Sequence, residues 1–166
     1  KLVSDRSLDF VYIEDPKASG WEPMNALSGY QYGHGMYYLS NRNVTEIMPL
    51  TPGVHGLRNA ALDTPWPKVV KGKRRLAALL GAGTVEPELL FSMMADGEIA
   101  PDEHLPETGI GLDKERWLSS AFIDQPEFGY GTRCTTVILV RSDGEVELVE
   151  RTFEGGEAVS DVHWVL

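Results

Sequence analysis

Thr135-Thr136-Val137-Ile138-Leu139-Val140-Arg141-Ser142-Asp143-Gly144-Glu145-Val146-Glu147-Leu148-Val149 carries the strongest structural signal in the chain. Residues 135–140 and 146–149 are rich in β-branched and aliphatic side chains, which suit a pleated, half-buried surface. Asp143-Gly144 between them suits the positive φ angles of a tight turn, so the two runs are predicted to pair as an antiparallel hairpin. Downstream, Val162-His163-Trp164-Val165-Leu166 supplies a last strand. Upstream, residues 10–13 read as a short strand broken by Asp15-Pro16. Residues 29–39 read as a hairpin about Gly33-His34-Gly35, and residues 54–57 as one further short strand.

Helical patterns separate these strands. Thr64-Pro65-Trp66-Pro67 reads as a helix start, with Thr64 as N-cap and proline at the first helical position, where its missing N–H costs nothing. Trp66, Val69, Val70, Leu76, Ala77 and Leu80 follow at roughly helical spacing, and Gly81 and Gly83 end the run. A second helix is expected over about residues 87–96, stopping at Gly97, and a third after Asp113. Strands, then helices, then strands again predict an α+β fold, an antiparallel sheet with helices packed on it. No repeat or linker divides residues 1–166, which read as a single domain.

Composition narrows the function. The chain has 25 acidic and 15 basic residues, a net charge of −10, which argues against general nucleic-acid binding. The apolar run Val137-Ile138-Leu139-Val140 is far too short to span a bilayer, so no transmembrane segment is expected. A single cysteine, Cys134, excludes an internal disulfide and fits a reducing compartment, read as the cytoplasm. Opening at Lys1 rather than Met, the chain reads as a fragment or a processed product.

Three stretches resemble one family. They are Tyr37-Tyr38-Leu39-Ser40-Asn41-Arg42; Leu50 through Val69, with Gly56-Leu57-Arg58-Asn59 and Thr64-Pro65-Trp66-Pro67-Lys68; and residues 115–123 joined to residues 130–137, continued by Glu150-Arg151-Thr152-Phe153. Their order and spacing over roughly residues 36–155 are similar to the C-terminal part of the NRDE family, of transport-and-Golgi-organisation type. In that family Ser is usual where this chain has Arg58. The resemblance implies an N-terminal-nucleophile-hydrolase-like αββα sandwich, two antiparallel sheets between helical layers, of which the N-terminal part is absent here. It implies ancestry in the cleavage of C–N amide bonds, with a Cys near the family's N-terminus as nucleophile. Such a nucleophile uses its own α-amine as base. Lys1 offers neither hydroxyl nor thiol, so this chain alone is expected to be inactive. The resemblance leaves a second function open, a non-catalytic haem or small-ligand carrier of the trafficking machinery.

The candidate site residues follow from both readings. Asn59 is implied to donate to an oxyanion, as in related acylases; its other reading is a turn-shaping residue. Arg133 and Arg116 are candidate forks for a substrate or haem carboxylate, against salt bridges to acidic neighbours. His55 is the one histidine worth testing as a haem ligand; His34, His104 and His163 are scattered singly and show no metal spacing. Ser119 and Ser120 stand where related acylases carry an arginine and read as packing residues. Cys134 reads as an inert thiol. Lys68, Lys71, Lys73, Arg74 and Arg75 read as a solvated helix face. The partners expected are a small amide substrate or haem, and a second copy of the chain paired through an exposed sheet edge.

Overall fold

A computed structural model describes residues 8–14, 37–38, 47–58 and 61–166, with the backbone alone for residues 8–14. Its main feature is a four-stranded antiparallel sheet in the order β1 (Leu8–Glu14), β6 (Cys134–Arg141), β7 (Val146–Glu154) and β8 (Glu157–Val165). Two short two-stranded ladders accompany it: β2 (Tyr37–Tyr38) with β3 (Met48–Pro49), and β4 (Asp124–Gln125) with β5 (Tyr130–Gly131). Three α-helices, α1 (Pro67–Ala82), α2 (Pro87–Met94) and α3 (Leu112–Leu118), and two single-turn 3-10 helices (Asp102–His104 and Pro126–Phe128) complete the described elements. The fold is mixed α and β with antiparallel sheets, as the alternation of patterns predicts.

The core forms where the helices meet the sheet. Thr135, Val137 and Leu139 point to one side of β6 and are buried, while Thr136, Ile138 and Val140 on the other side are only half-buried. Val137, Leu139 and Val149 pack with Val85, Leu90 and Phe91, and Leu76, Leu79 and Leu80 of α1 close over them. Leu90, Val137 and Leu139 have essentially no exposure, worth about 1.5–3 kcal/mol each in transfer free energy. Arg151 on β7 locks this layer. It bonds Glu88 of α2 at 2.5 Å and Asp161 of β8 at 2.7 Å, with its guanidinium 4.4 Å from the centre of the Phe91 ring.

Several boundaries differ from the sequence reading, each for a local reason. The β6–β7 connection has four residues, and only Gly144 adopts a positive φ (92°); the Gly144 N–H donates to Arg141 O at 2.9 Å. Helix α1 starts one Pro-x step later than Thr64-Pro65 suggests: Trp66 is the N-cap and Pro67 holds the first helical position. The Thr64 hydroxyl donates back to Ala61 O at 2.7 Å, so it serves the preceding turn rather than the helix. The far end agrees, with Gly83 in the left-handed region (φ 69°) as C-cap. Residues 54–57 are not a strand; side-chain bonds described below, not a ladder, hold them. Of the hairpin expected over residues 29–39, only Tyr37–Tyr38 lies within the described residues, paired with Met48–Pro49.

Candidate functional site

The loop between β3 and α1 folds around one carboxylate. Asp63 has φ 58°, the sole non-glycine residue with a positive φ among the described residues. Aspartate tolerates that region better than most residues, and tertiary bonds compensate the residual strain. Its N–H donates to Gly56 O at 2.8 Å, and the Gly56 N–H returns a bond to Asp63 Oδ1 at 2.9 Å. This reciprocal pair ties Gly56 to Asp63. Lys73 Nζ, from α1, reaches the same Oδ1 at 2.6 Å, and His55 Nδ1 bonds Oδ2 at 2.7 Å. Gly56 fits only because it lacks a side chain: a Cβ there would come within 2.7 Å of Val69 Cγ1 and 3.4 Å of Lys73.

The charges follow from these bonds. Burial pushes the Asp63 carboxyl up, but hydrogen bonds from Lys73, His55 and the Gly56 N–H outweigh it and hold it down to about 2. His55 is raised from its ordinary value, first by its bond to the Thr51 carbonyl and then by Asp63, with burial opposing. Its Nε2 lies 2.8 Å from Thr51 O, so both ring nitrogens donate to oxygen acceptors in the protonated state. In this arrangement His55 offers no free lone pair to a metal or haem iron.

One residue further on, Arg58 turns inward. Its guanidinium stacks 4.0 Å above the Trp66 ring, and Nη2 donates to Leu118 O at 3.3 Å. Arg58 Nε is buried without a hydrogen-bond partner among the described residues. Desolvation lowers this guanidinium to about 10, against the favourable fields of Glu115 and Tyr130. Lys68 Nζ donates to Ser120 O at 2.8 Å. Two cations from residues 58–68 therefore bond carbonyls at the end of α3 (Leu118) and just beyond it (Ser120), where the helix dipole favours positive charge.

The turn after α3 is held from the other side as well. Ser119 and Ser120 are buried, and their hydroxyls donate to Arg116 O at 2.5 Å and Phe122 O at 2.7 Å. The Ile123 N–H donates to Thr132 Oγ1 at 3.0 Å, and the Thr132 N–H to Ile123 O at 2.7 Å. Trp117 packs edge-on to Tyr130, with ring centres 5.3 Å apart. Residues 51–68, 115–123 and 130–137, far apart in sequence, thus converge on one place.

The sequence-derived candidates distribute unevenly about it. Asn59 lies outside the described residues, as does Ala60; Arg58 and Ala61 flank them. Arg116 forks onto Asp102 at 2.9 and 2.7 Å and bonds Asp113 at 3.0 Å, and these carboxylates raise its pKa. Arg133 is exposed and makes no side-chain hydrogen bond or ion pair among the described residues. Cys134 is half-buried on β6. Four of the five basic residues on α1 bond internally: Lys71 pairs with Asp96 and Glu98, Arg75 with Asp96, Lys73 with Asp63 and Lys68 with Ser120 O, while Arg74 is exposed. Sequence reasoning missed Asp63, Arg58 and Lys73, whose partners are 7 to 60 residues away. The available signal was Asp63 itself, an aspartate directly before a Thr-Pro turn.

Among the described residues no group of three or more His, Cys, Asp or Glu side chains is arranged to hold a metal ion. An open depression of about 390 Å³ in the loop before α3 is lined by Asp102, Glu103, Glu107 and Glu115, a surface that repels anions. The described helices are too short or too polar to cross a membrane.

Comparison with known proteins places these clustered stretches. A family profile described as Transport and Golgi organisation 2 (TANGO2) matches residues 12–155, which contain all of them. The chain belongs to the TANGO2 family. A bovine Transport and Golgi organization protein 2 homolog is 34% identical over 155 residues, covering 89% of this chain and 55% of the relative. The human homolog is 32% identical over 126 residues, covering 72% of this chain and 46% of the relative. A mouse relative is 31% identical over the same coverage. The chain spans about half the length of these TANGO2 relatives.

Proposed function

We propose that this chain is part of an αββα amide hydrolase of the N-terminal-nucleophile type, and that the segment between Gly56 and Asp63 supplies Asn59 as its oxyanion donor. The observation that carries this reading is the density of bonds fixing that loop. Asp63 ties both ends together and to α1, and Arg58, the residue before Asn59, is pinned on Trp66 and Leu118 O. A donor that stabilises a transition state must be held in place before reaction, and a rigid frame supplies that. The apolar outer side of the sheet, with Ile138, Val140 and Leu148 half-buried, suits coverage by a second sheet. In this reading the nucleophile is a Cys exposed as residue one of the mature full-length protein. In that chemistry the exposed Cys attacks the amide carbonyl, its α-amine takes the proton, and the Asn59 side-chain amide donates to the tetrahedral oxyanion; the C–N bond then breaks as the α-ammonium protonates the leaving amine, and water hydrolyses the thioester to release the acid.

The test uses the full-length protein. Intact mass and N-terminal sequencing are expected to show a Cys exposed as residue one, followed by turnover of an amide panel. Asn59→Ala should then lower kcat by ~10²–10³. A retained initiator Met, or no upstream Cys, rules the reading out.

One observation favours the alternative of a ligand carrier: Arg133 is exposed with its guanidinium unpaired among the described residues, a fork open to a carboxylate such as a haem propionate. Haem titration followed by absorbance, with Arg133→Ala weakening binding about tenfold or more, would support it. His55, bonded at both nitrogens, does not fit as the axial ligand.

A further inference from the structure

Strand β8 forms one border of the main sheet, and all nine of its residues are exposed. Among the described residues nothing pairs with its outer side. Val146 and Leu166 exchange both backbone bonds, N to O distances being 3.1 and 2.9 Å. Hydrogen-bonded pairs alternate along an antiparallel ladder, so Trp164 (opposite Leu148) and Val162 (opposite Glu150) bond inward to β7. The N–H and C=O groups of Asp161, His163 and Val165 consequently point away from the sheet.

We propose that this edge pairs with β8 of a second copy of the chain, antiparallel about a two-fold axis through Val162. The side chains select that register. With the axis at Val162, Asp161 of each copy faces His163 of the other, and both present outward backbone groups, as an exchanging pair requires. On the side facing the helices, His163 Nε2 already meets Glu147 Oε1 at 3.0 Å, and Asp161 meets Arg151 at 2.7 Å. The two-fold therefore continues a line of complementary polar groups across the junction, Glu147–His163 in one copy and Asp161–Arg151 in the other. On the opposite side, Ser160 faces Trp164, and Val162 faces its own counterpart. Moving the axis to Asp161 puts two aspartates face to face, which opposes pairing. Moving it to Ser160 leaves Trp164, Val165 and Leu166 unpaired, three residues 49%, 57% and 81% exposed. A symmetric edge pairing is isologous and closes as a dimer, which removes a border otherwise open to aggregation.

The axis makes the register directly testable by cross-linking. Val162→Cys puts two thiols on a non-hydrogen-bonded pair with Cα atoms about 4.5 Å apart, within disulfide reach. Ser160→Cys puts its thiol opposite Trp164. Both variants and the parental protein, whose Cys134 serves as the control thiol, are oxidised and run on non-reducing gels, alongside sedimentation of the untreated parent. The expected result is a dimeric parent, near-complete cross-linking of Val162→Cys, and no cross-linking of Ser160→Cys. Val165→Pro, which deletes an N–H not used toward β7, should shift the dimer to monomer while keeping cooperative unfolding. A monomeric parent at tens of micromolar, or cross-linking of Ser160→Cys instead, overturns the proposal.

Discussion

The charge state of Asp63 decides how it holds His55, Gly56 and Lys73 together. Its carboxyl, at about 2, is depressed below the ordinary value of about 3.9, so its contribution is present above the unfolded pKa and lost as pH falls through about 2. His55 is raised, so its contribution is complete below about 6.5 and is lost as pH rises through its folded value. The two windows overlap between about pH 4 and 6.5. Urea unfolding across pH 3–8 should therefore show the parent exceeding Asp63→Asn by about 1–3 kcal/mol in that window, with the gap narrowing at both ends. A gap independent of pH would mean that neither group titrates against the other. Gly56→Ala should also destabilise, because a Cβ 2.7 Å from Val69 Cγ1 forces the loop away from α1. This hub was illegible in the sequence because its bonds are made by side chains across 7 to 10 residues, a spacing that no periodicity reports. The same holds for the lysines of α1: their spacing suggests a solvated face, but Asp96, Glu98 and Asp63 lie within their reach.

Elements whose signal is local were legible, down to the turn residues. Residues 135–140 and 146–149 do pair, and Val137 opposes Val149 at the centre of their ladder. Strand β7 runs longer than its apolar core suggests, because Gly155-Gly156, with φ of 56° and 82°, makes a second tight turn that extends β7 to Glu154 and starts β8 at Glu157. Two successive left-handed glycines are a readable hairpin signal, and residues 162–166 understate the strand that follows them. What the sequence could not give is which helix covers which side of the sheet. That is decided by packing: Leu90 and Phe91 sit on Val137 and Leu139. Leu90→Ala should cost about 2–5 kcal/mol by urea unfolding, the range for a fully buried leucine. Arg151→Lys should be poorer than the parent even though it keeps the charge. An ammonium cannot fork onto Glu88 and Asp161 while lying flat on Phe91. A lysine variant as stable as the parent would show that the fork and the stacking contribute little.

Over the whole molecule, protection from solvent is graded across the main sheet. Strand β6 is flanked by β1 and β7 and covered by the helices, whereas β8 has one strand neighbour and no cover among the described residues. Amide hydrogen exchange should follow that gradient, with Val137 and Leu139 opening only when the molecule unfolds globally. Within β8 the pattern should alternate. Val162 and Trp164 donate into the sheet and are slowed by β7, while Asp161, His163 and Val165 donate outward. In a monomer the outward set exchanges nearly as fast as an open chain. In a β8-paired dimer the outward amides on either side of the axis are bonded as well, and the alternation disappears. Exchange measured at low and at high protein concentration therefore separates the states without any substitution. Asp161 and His163 should gain protection on concentrating, while Val137, already at the global limit, changes only by the stability that association adds. If the alternation persists at the highest concentration, the edge of β8 is free in solution and the second copy does not occupy it.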